Sequence, residues 1–332
     1  MNENPLGYVE VNKLIKKFAM PSVIGMLVTS IYNIVDQLFI GQAVGQLGNA
    51  ATNVAFPLTF LTIALALLFG IGGAANFNLS LGQQKKEEAP YFIGNAFMLL
   101  VMSGVILLII SRLFLHPMLI AFGSPDEVLP YADTYVAITS IGFPFVLVTV
   151  GGGHLVRADG SPAKAMIYNL SGAIINIFLD YLLTMVFKFG IAGAAYATVI
   201  GQIFSAILVI RYMTRCKTVN LSLKHLALKG MYVKRIVMLG MSACVNQVSM
   251  MAVQIIANNL LKKYGADSIY GSSIPIACAG IVMKINQVIF SIVIGISQGC
   301  QPIFSFNYGA RKFDRVRKTY KIAVLSGVII SA

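Results

Sequence analysis

Charged residues divide this chain into long apolar stretches, and the length of these stretches limits its fold more than any other feature. The first stretch, 18–84, holds 67 residues and one charged group, Asp36. Further stretches with one charged residue or none lie at 89–111, 134–156, 165–187, 189–210, 236–261 and 268–310. A helix needs ~20 mostly apolar residues to cross the ~30 Å hydrocarbon core of a bilayer. The pattern therefore predicts helices that span a membrane.

The shortage of charge supports the same conclusion. Only 11% of the residues are charged, whereas soluble domains contain about 25%, so a water-facing surface could not be covered. We expect an all-α polytopic membrane protein. The stretch 18–84 is long enough for two spans, with a turn predicted at 41–53, which is rich in Gly, Asn and Gln. Eight full spans result. Part of a ninth begins near Ile322 and stops at Ala332, so we expect a fragment of a longer protein.

The basic residues predict how the spans are oriented. With the N-terminus inside and the spans alternating, 20 of the 25 Lys and Arg residues lie on the inside and four on the outside. Such an excess is typical of the cytoplasmic face of membrane proteins. The net charge of +13 is then explained by orientation and by attraction to anionic membrane lipid. We therefore predict no nucleic-acid partner.

An internal repeat relates two parts of the chain. At an offset of 227 residues, the end of the second span matches the end of the eighth. The matching pairs are Gly72 with Gly299, Gly82 with Gly309, Lys85 with Lys312 and Glu87 with Asp314. Repeats of this kind are common in transporters. We predict a six-helix lobe at 1–214, a cytoplasmic linker at 215–231 and an incomplete second lobe at 232–332.

Two acids lie inside predicted spans, Asp36 in the first and Asp180 in the fifth. A charge at the bilayer centre costs about 2.5–3.5 kcal/mol, so such residues usually face a bundle interior or a water-filled cavity. Asn176 precedes Asp180 by one helical turn and shares its face. Burial disfavours the charged form of a carboxyl group, and a nearby carboxylate disfavours it further. The acids therefore predict a site that takes up and releases a proton.

Structural roles remain open for several of these polar residues. Asn33 and Thr198 could each form only an interhelical hydrogen bond, which is the commoner role of such residues in membrane helices. Lys284 is the one basic residue within a predicted span. It could pair with Asp36 or Asp180, or it could extend its amine to the membrane surface.

The sequence offers no pattern typical of an enzyme or of a metal cluster. The four cysteines show no CxxC spacing, and the three histidines are widely separated. The glycine-rich stretches at 69–76 and 151–154 lack the spacing of phosphate-binding loops, so close helix packing is their expected role. We predict no catalytic residue, no cofactor and no metal other than a coupling ion.

Four stretches together resemble the multidrug and toxic compound extrusion (MATE) transporters, and within them a bacterial, MepA-like branch. They are IYNIVDQLFIGQAVG (31–45), NIFLDYLLTMVFKFGIAGAAYATVIGQ (176–202), GISQGCQPIFSFNYGA (295–310) and the basic loop that follows. The resemblance implies twelve helices in two six-helix lobes related by pseudo-symmetry, of which this chain supplies the first and part of the second. It implies a bacterial plasma membrane location, with a cytoplasmic N-terminus.

The resemblance also implies a function and a site. Members export hydrophobic or cationic drugs in exchange for protons or sodium, and we expect a monomer surrounded by lipid. The first-lobe site, for a proton or for sodium, corresponds to Asp36, Asn176, Asp180 and Thr198. The expected substrate cavity is lined by Met26, Tyr32, Asn33, Gln37, Phe56 and Lys284. Span 7 contains no acid, so a second-lobe sodium site that depends on one is not expected.

Three alternatives remain open. A flippase for lipid-linked oligosaccharides, from the same superfamily, would need basic residues along the cavity, and Lys284 is the one candidate. A membrane enzyme would need a catalytic cluster at a membrane face. A fragment lacking part of the second lobe could also be inactive in transport. An assay that detects exchange of protons for drugs would distinguish antiport from all three alternatives.

Overall fold

The structure is a computed structural model that describes residues 4–331. These residues are almost entirely helical and contain no β-strand. The α-helices are α1 (Val11–Val44), α2 (Gln46–Val54), α3 (Phe56–Gly82), α4 (Ala89–Leu113), α5 (Leu115–Ala121), α6 (Leu129–Thr139), α7 (Phe143–Ala158), α8 (Pro162–Asp180), α9 (Gly190–Met213), α10 (Leu223–Leu226), α11 (Gly230–Ala266), α12 (Ser273–Gly309) and α13 (Phe313–Ser331).

Among residues 4–331, eight helical segments are long and apolar enough to cross a membrane. They are Val11–Val44, Gln46–Gly82, Ala89–Leu113, Leu129–Ala158, Pro162–Val186, Gly190–Met213, Gly230–Ala266 and Ser273–Gly309. These segments follow the eight predicted spans in order, so the all-α polytopic fold is confirmed. The direction in which they cross the membrane stays a prediction.

The break predicted at 41–53 is present but much shorter than the predicted turn. The chain breaks for one residue, Gly45, whose φ of 77° suits a residue without a side chain. It then continues as α2. Of the polar side chains that suggested a turn, Thr52 and Asn53 are buried and Asn49 is half-buried, and all three bond to other helices. Because tertiary contacts satisfy them, their local preference for turns is overridden.

The two halves contact each other in a reciprocal way. A Cβ placed on Gly82 would lie 2.2 Å from the carbonyl oxygen of Phe306, and one placed on Gly309 would lie 2.4 Å from that of Leu79. These two contacts are related by the offset of 227 residues that the sequence repeat predicted. Backbone approach this close requires glycine on each side. The contact therefore agrees with pseudo-symmetric halves, while the proposed domain limits stay a prediction.

Helices α1 and α3 of the first half carry most of the packing against the second half. Helix α3 packs along α11, and α1 packs along α12. We call the end of the bundle at which α1 begins and α3 ends the basic end. Its loops contain Lys85, Lys86, Arg311 and Lys312. The other end of the bundle is called the opposite end.

The segment between the halves is held against α4 by one buried side chain. The Asn95 amide donates to the carbonyl oxygens of His225 and Ala227, at 3.1 Å each, and accepts from the amide of Lys229 at 2.9 Å. Asn95 is fully buried. Asn95 therefore fastens residues 225–229 of the linker to α4, while the start of the linker is held by Asp159, whose carboxylate accepts from the amides of Lys217 and Thr218.

Asn95→Ala is expected to release this linker. Three backbone groups lose their partner, and the carbonyl of buried His225 is the one for which this costs about 1–3 kcal/mol, because Ala227 and Lys229 are exposed. Limited proteolysis after Lys217, Lys224 or Lys229 should become faster than in the wild type. Asn220→Ala is the matched control, because Asn220 is an exposed amide of the same linker. Equal cleavage of both variants would contradict the role of Asn95.

The linker is also expected to loosen in acid. The neutral ring of His225 accepts a hydrogen bond from the amide of Ser222 at 3.0 Å. Burial, reinforced by Lys224 and Lys229, lowers the pKa of His225 below its ordinary value. The released linker therefore binds more protons than the docked one. Docking is complete above about pH 6.5 and weakens as the pH falls below it. Proteolysis at pH 5.5 and pH 7.5, with His225→Gln for comparison, measures this.

Candidate functional site

The acids Asp36 and Asp180 come together inside the bundle. Asp36 lies in the second half of α1, and Asp180 is the last residue of α8. Their exposed fractions are 6% and 0%. The two carboxyl groups are close neighbours. The sequence predicted a pair, and the packing of α1 against α8 produces it.

The carboxyl oxygens lack donors from the protein. Both oxygens of Asp180 and Oδ1 of Asp36 have no hydrogen-bond donor within residues 4–331. Two ionised carboxylates cannot bond to each other, since both only accept. A single proton converts their contact into a hydrogen bond, and a bound cation also satisfies both groups. Buried polar atoms without partners are costly, so this pair is suited to holding a positive charge.

Asn176 and Thr198 complete one side of the pair. The Asn176 amide donates to the Thr198 hydroxyl on α9 at 3.3 Å, and Asn176 also lies beside Asp180. Oδ1 of Asn176 has no donor in the described part of the chain. Carboxylate and amide oxygens are typical ligands of hard cations. All four residues assigned to the coupling-ion site therefore lie in one cluster, and their role stays a prediction.

The helix carrying Asp180 changes its winding directly after this residue. Tyr181–Val186 form a π-helix, and the hydroxyl of Thr184 donates to the carbonyl of Asp180 at 2.5 Å. π-Helical turns are rare and are frequent at functional sites. Nothing in the sequence indicated this turn, because Leu, Met and Val fit an α-helix equally well.

Lys284 brings the second half of the chain to this cluster. It lies in the middle of α12 and is 7% exposed, so its amine does not extend to the membrane surface. The amine donates to Oε1 of Gln37, the neighbour of Asp36, and lies 5.6 Å from the ring centre of Phe56. Both acids are within electrostatic range of it, and no ion pair within 4.0 Å joins them in residues 4–331.

The remaining predicted cavity residues divide into two groups. Tyr32 lies within electrostatic range of both acids, and Gln37 and Phe56 contact Lys284 as described. Asn33 and Met26 are half-buried on α1, but in the described part of the chain no hydrogen bond joins Asn33 to the cluster.

Tyr135 of α6 also lies within electrostatic range of both acids. Sequence reasoning missed it, because tyrosine is ordinary in membrane helices.

A second polar cluster joins the halves nearer the opposite end. The Asn53 amide donates to the side chain of Asn258 at 3.2 Å and to the carbonyl of Ile276 at 2.9 Å, and Gln254 donates to Asn258 at 2.9 Å. All three side chains are at most 1% exposed. Gln254 and Asn258 belong to α11, which is span 7, the span that contains no acid. The three amides fasten α2 to α11 and α12.

Comparison with known proteins identifies the family. The model of the MatE family matches residues 21–182 and 242–332, which is more than half of the chain. The chain belongs to the MatE family. The family membership inferred from the four stretches is thereby confirmed. MatE proteins are membrane transporters rather than enzymes, in agreement with the sequence prediction.

Two relatives illustrate how this MatE chain compares with described proteins. The multidrug export protein MepA of Staphylococcus haemolyticus (strain JCSC1435) is 27% identical over 336 residues, covering 100% of this chain and 73% of the relative. MepA of Staphylococcus aureus (strain NCTC 8325 / PS 47) is 25% identical over 334 residues, covering 99% and 72%.

Solved structures share the fold of this MatE chain. The MATE multidrug transporter DinF-BH, solved as a complex, superposes with a TM-score of 0.90 at 31% identity, covering 99% of this chain and 74% of that one. An outward-facing multidrug resistance MATE transporter of the MOP superfamily superposes with a TM-score of 0.86 at 22% identity, covering 98% and 71%. At 22% identity, this second comparison describes a likeness of fold alone.

Proposed function

We propose that this protein is a secondary antiporter that exports hydrophobic or cationic drugs in exchange for protons. The observation that carries the proposal is the buried pair of Asp36 and Asp180, in which both oxygens of Asp180 and Oδ1 of Asp36 lack donors among residues 4–331. One shared proton satisfies the pair, and its release leaves a negative site for a cation. The proposed exchange requires proton and drug to alternate at this site. Sodium is the alternative coupling ion, held by the same oxygens and by Asn176.

The charge balance at the site favours one proton over two. Two ionised acids and the Lys284 ammonium leave a net charge of −1, and one shared proton makes the cluster neutral. A neutral cluster is the least costly form in a low-dielectric interior. We infer that the protein closes with one proton bound and opens toward its substrate after that proton leaves. Lobes that rock around a central site give alternating access.

Several further features belong to this proposal. The substrates are proposed from the relatives, which are named as multidrug export proteins, and from DinF-BH, which is named as a multidrug transporter. Tyr32, Phe56 and Lys284 would line the path, with Met26 and Asn33 further along α1.

The N-terminus is placed in the cytoplasm of a bacterium, with the basic end facing anionic lipid. The protein is proposed to act as a monomer.

Everted vesicles that contain this chain test the proposal. Their lumen is acidified, and a cationic dye is then added outside. Alkalinisation of the lumen on dye addition supports antiport with protons, whereas dye uptake that requires sodium in the lumen and leaves the luminal pH unchanged would identify sodium as the coupling ion. A parallel assay with a fluorescent lipid-linked saccharide tests the flippase. Lipid translocation without dye-induced proton movement would replace the proposed function, and activity in neither assay would favour a fragment that does not transport.

Lys284→Met is expected to slow exchange at pH 7. The variant loses the cation near the acid pair, so the pair holds its proton more firmly and releases it to drug less readily. We expect a loss of about tenfold, corresponding to ~1.4 kcal/mol, with recovery in a more alkaline medium. Lys284→Arg should retain most activity, and Lys263→Met is the matched control at an exposed lysine. Full activity of Lys284→Met at every pH would exclude the electrostatic role.

A further inference from the structure

Arg157 is a buried cation without a partner in the described part of the chain. It lies in the last turn of α7, at the basic end, and is 8% exposed. Within residues 4–331 it has no hydrogen-bond acceptor, and the ion pairs there involve other residues. A buried charge is normally paired, because leaving it unpaired costs several kcal/mol. Arg157 directly follows the apolar stretch 134–156, so the sequence predicts it among the basic residues on the inside.

The guanidinium folds back along α7 toward Gly153, where there is room for a side-chain atom. A Cβ placed on Gly153, one turn earlier, would have two neighbours within 4 Å, the guanidinium nitrogens of Arg157 at 3.7 and 4.0 Å. The adjacent glycines differ. A Cβ on Gly151 would lie 2.3 Å from Leu100, and one on Gly152 would lie 2.6 Å from Val209. The first two glycines of this stretch therefore serve helix packing, and Gly153 leaves room beside Arg157.

Two further buried polar atoms on the same helix lack partners among residues 4–331. His154 is 1% exposed, and its Nδ1 is 3.3 Å from Oε1 of Gln301. The Gln301 amide nitrogen donates to the carbonyl of Ile71 at 3.2 Å, so Oε1 is the acceptor and the His154 proton is on Nδ1. Nε2 of His154 is left without a partner, as is the hydroxyl of Thr149, which is 9% exposed.

We propose that Arg157, Thr149 and the open space beside Gly153 form a binding site for one oxyanion, a carboxylate or a phosphate group. Arg157 supplies the charge and a fork of N–H donors, which suits the geometry of such groups. Thr149 supplies an O–H donor. His154 borders the site through Nε2, which accepts from a hydroxyl group or a water molecule bound with the anion. The site lies at the basic end, and the acid pair lies toward the opposite end.

This inference goes beyond cation export and does not depend on it. The Asp36–Asp180 pair takes positive charge, whereas this site takes negative charge. The anion has two possible sources. It is either a soluble ion, including the carboxylate of a molecule that also carries an amine, or the phosphate of a lipid headgroup that enters between helices. The same donors serve both, so the experiment has to separate them.

Thermal unfolding of the purified full chain in a neutral detergent tests the site. The wild type is measured in sodium chloride, then with inorganic phosphate, acetate or a short-chain phosphatidic acid replacing chloride at constant ionic strength. A ligand that binds only the folded state raises the unfolding temperature with its concentration. We expect a saturable rise of several degrees with at least one probe. A response to phosphate or acetate identifies a soluble anion, and a response to phosphatidic acid alone identifies a lipid headgroup.

Three variants make the test decisive. Arg157→Gln removes the charge, and Gly153→Leu fills the space while keeping Arg157. Both should lose the anion-dependent rise. Arg211→Gln is the control, because Arg211 is an exposed arginine in the last turn of α9, and it should keep the full rise. Absence of a rise in the wild type with all three probes, or an equal rise in Arg157→Gln and Gly153→Leu, would overturn the proposal.

Discussion

Asp180→Asn is expected to reduce drug–proton exchange to the level of vesicles without the protein, and Asp36→Asn is expected to do the same. An asparagine amide keeps the size of the side chain, but it neither binds a proton nor becomes negative when one leaves. The buried pair would then remain neutral throughout, and nothing would link drug binding to proton release. Dye accumulation by proteoliposomes with an imposed pH gradient measures the loss.

A surface acid provides the control for this experiment. Asp126 is exposed in the loop before α6, so Asp126→Asn changes the net charge equally and should leave exchange intact. Asp180→Glu keeps the carboxyl group and should retain part of the activity at a shifted geometry. Exchange at the wild-type rate in Asp180→Asn would show that the pair is a structural contact.

Gly240→Leu is expected to disrupt the contact between the halves at the basic end. A Cβ at Gly240 would lie 1.9 Å from the carbonyl oxygen of Leu68, and one at Gly72 would lie 2.0 Å from that of Ile236. Backbone lies on both sides, so no side-chain rotation makes room, and a larger residue must push α3 and α11 apart. Overpacking typically costs about 1–3 kcal/mol, and backbone displacement increases it.

Two measurements detect this separation. Maleimide labelling of Cys244, which lies one turn after Gly240 and is half-buried, should become faster, and the unfolding temperature should fall. Gly72→Leu should behave alike, because it lies across the same contact. Gly230→Leu is the control, since a Cβ at Gly230 would have no neighbour within 4 Å in the described part of the chain. Unchanged labelling in Gly240→Leu would show that α3 and α11 accommodate the leucine without separating, and would contradict the prediction.

The sequence predicted those features that depend on local physical limits, such as the length of a membrane span or the cost of a buried charge. The length of a span follows from bilayer thickness, and this requirement predicted all eight membrane spans. The high cost of a carboxylate in a membrane singled out Asp36 and Asp180, and helical periodicity placed Asn176 beside Asp180. A repeat of Gly82 at Gly309 indicated two similar halves before any contact between them was known.

The rest depends on contacts between residues distant in sequence. The sequence around Asn49, Thr52 and Asn53 resembles a turn, but side chains and backbone of other helices bond to these residues and the segment is helical as α2. Tyr135 joins the acid pair because α6 lies nearby, and its own segment gave no indication of this. Arg157 was assigned to a loop because it ends an apolar stretch, yet its side chain turns inward, where Gly153 leaves room.

Proton release on drug binding tests the central claim most directly. The purified protein in a weakly buffered solution near neutral pH is titrated with a cationic dye, while a pH indicator and the dye fluorescence are recorded together. The shared-proton account predicts close to one proton released for each monovalent cation bound, and none from the Asp36→Asn and Asp180→Asn variants. Dye binding without proton release in the wild type, or equal release from those variants, would contradict it.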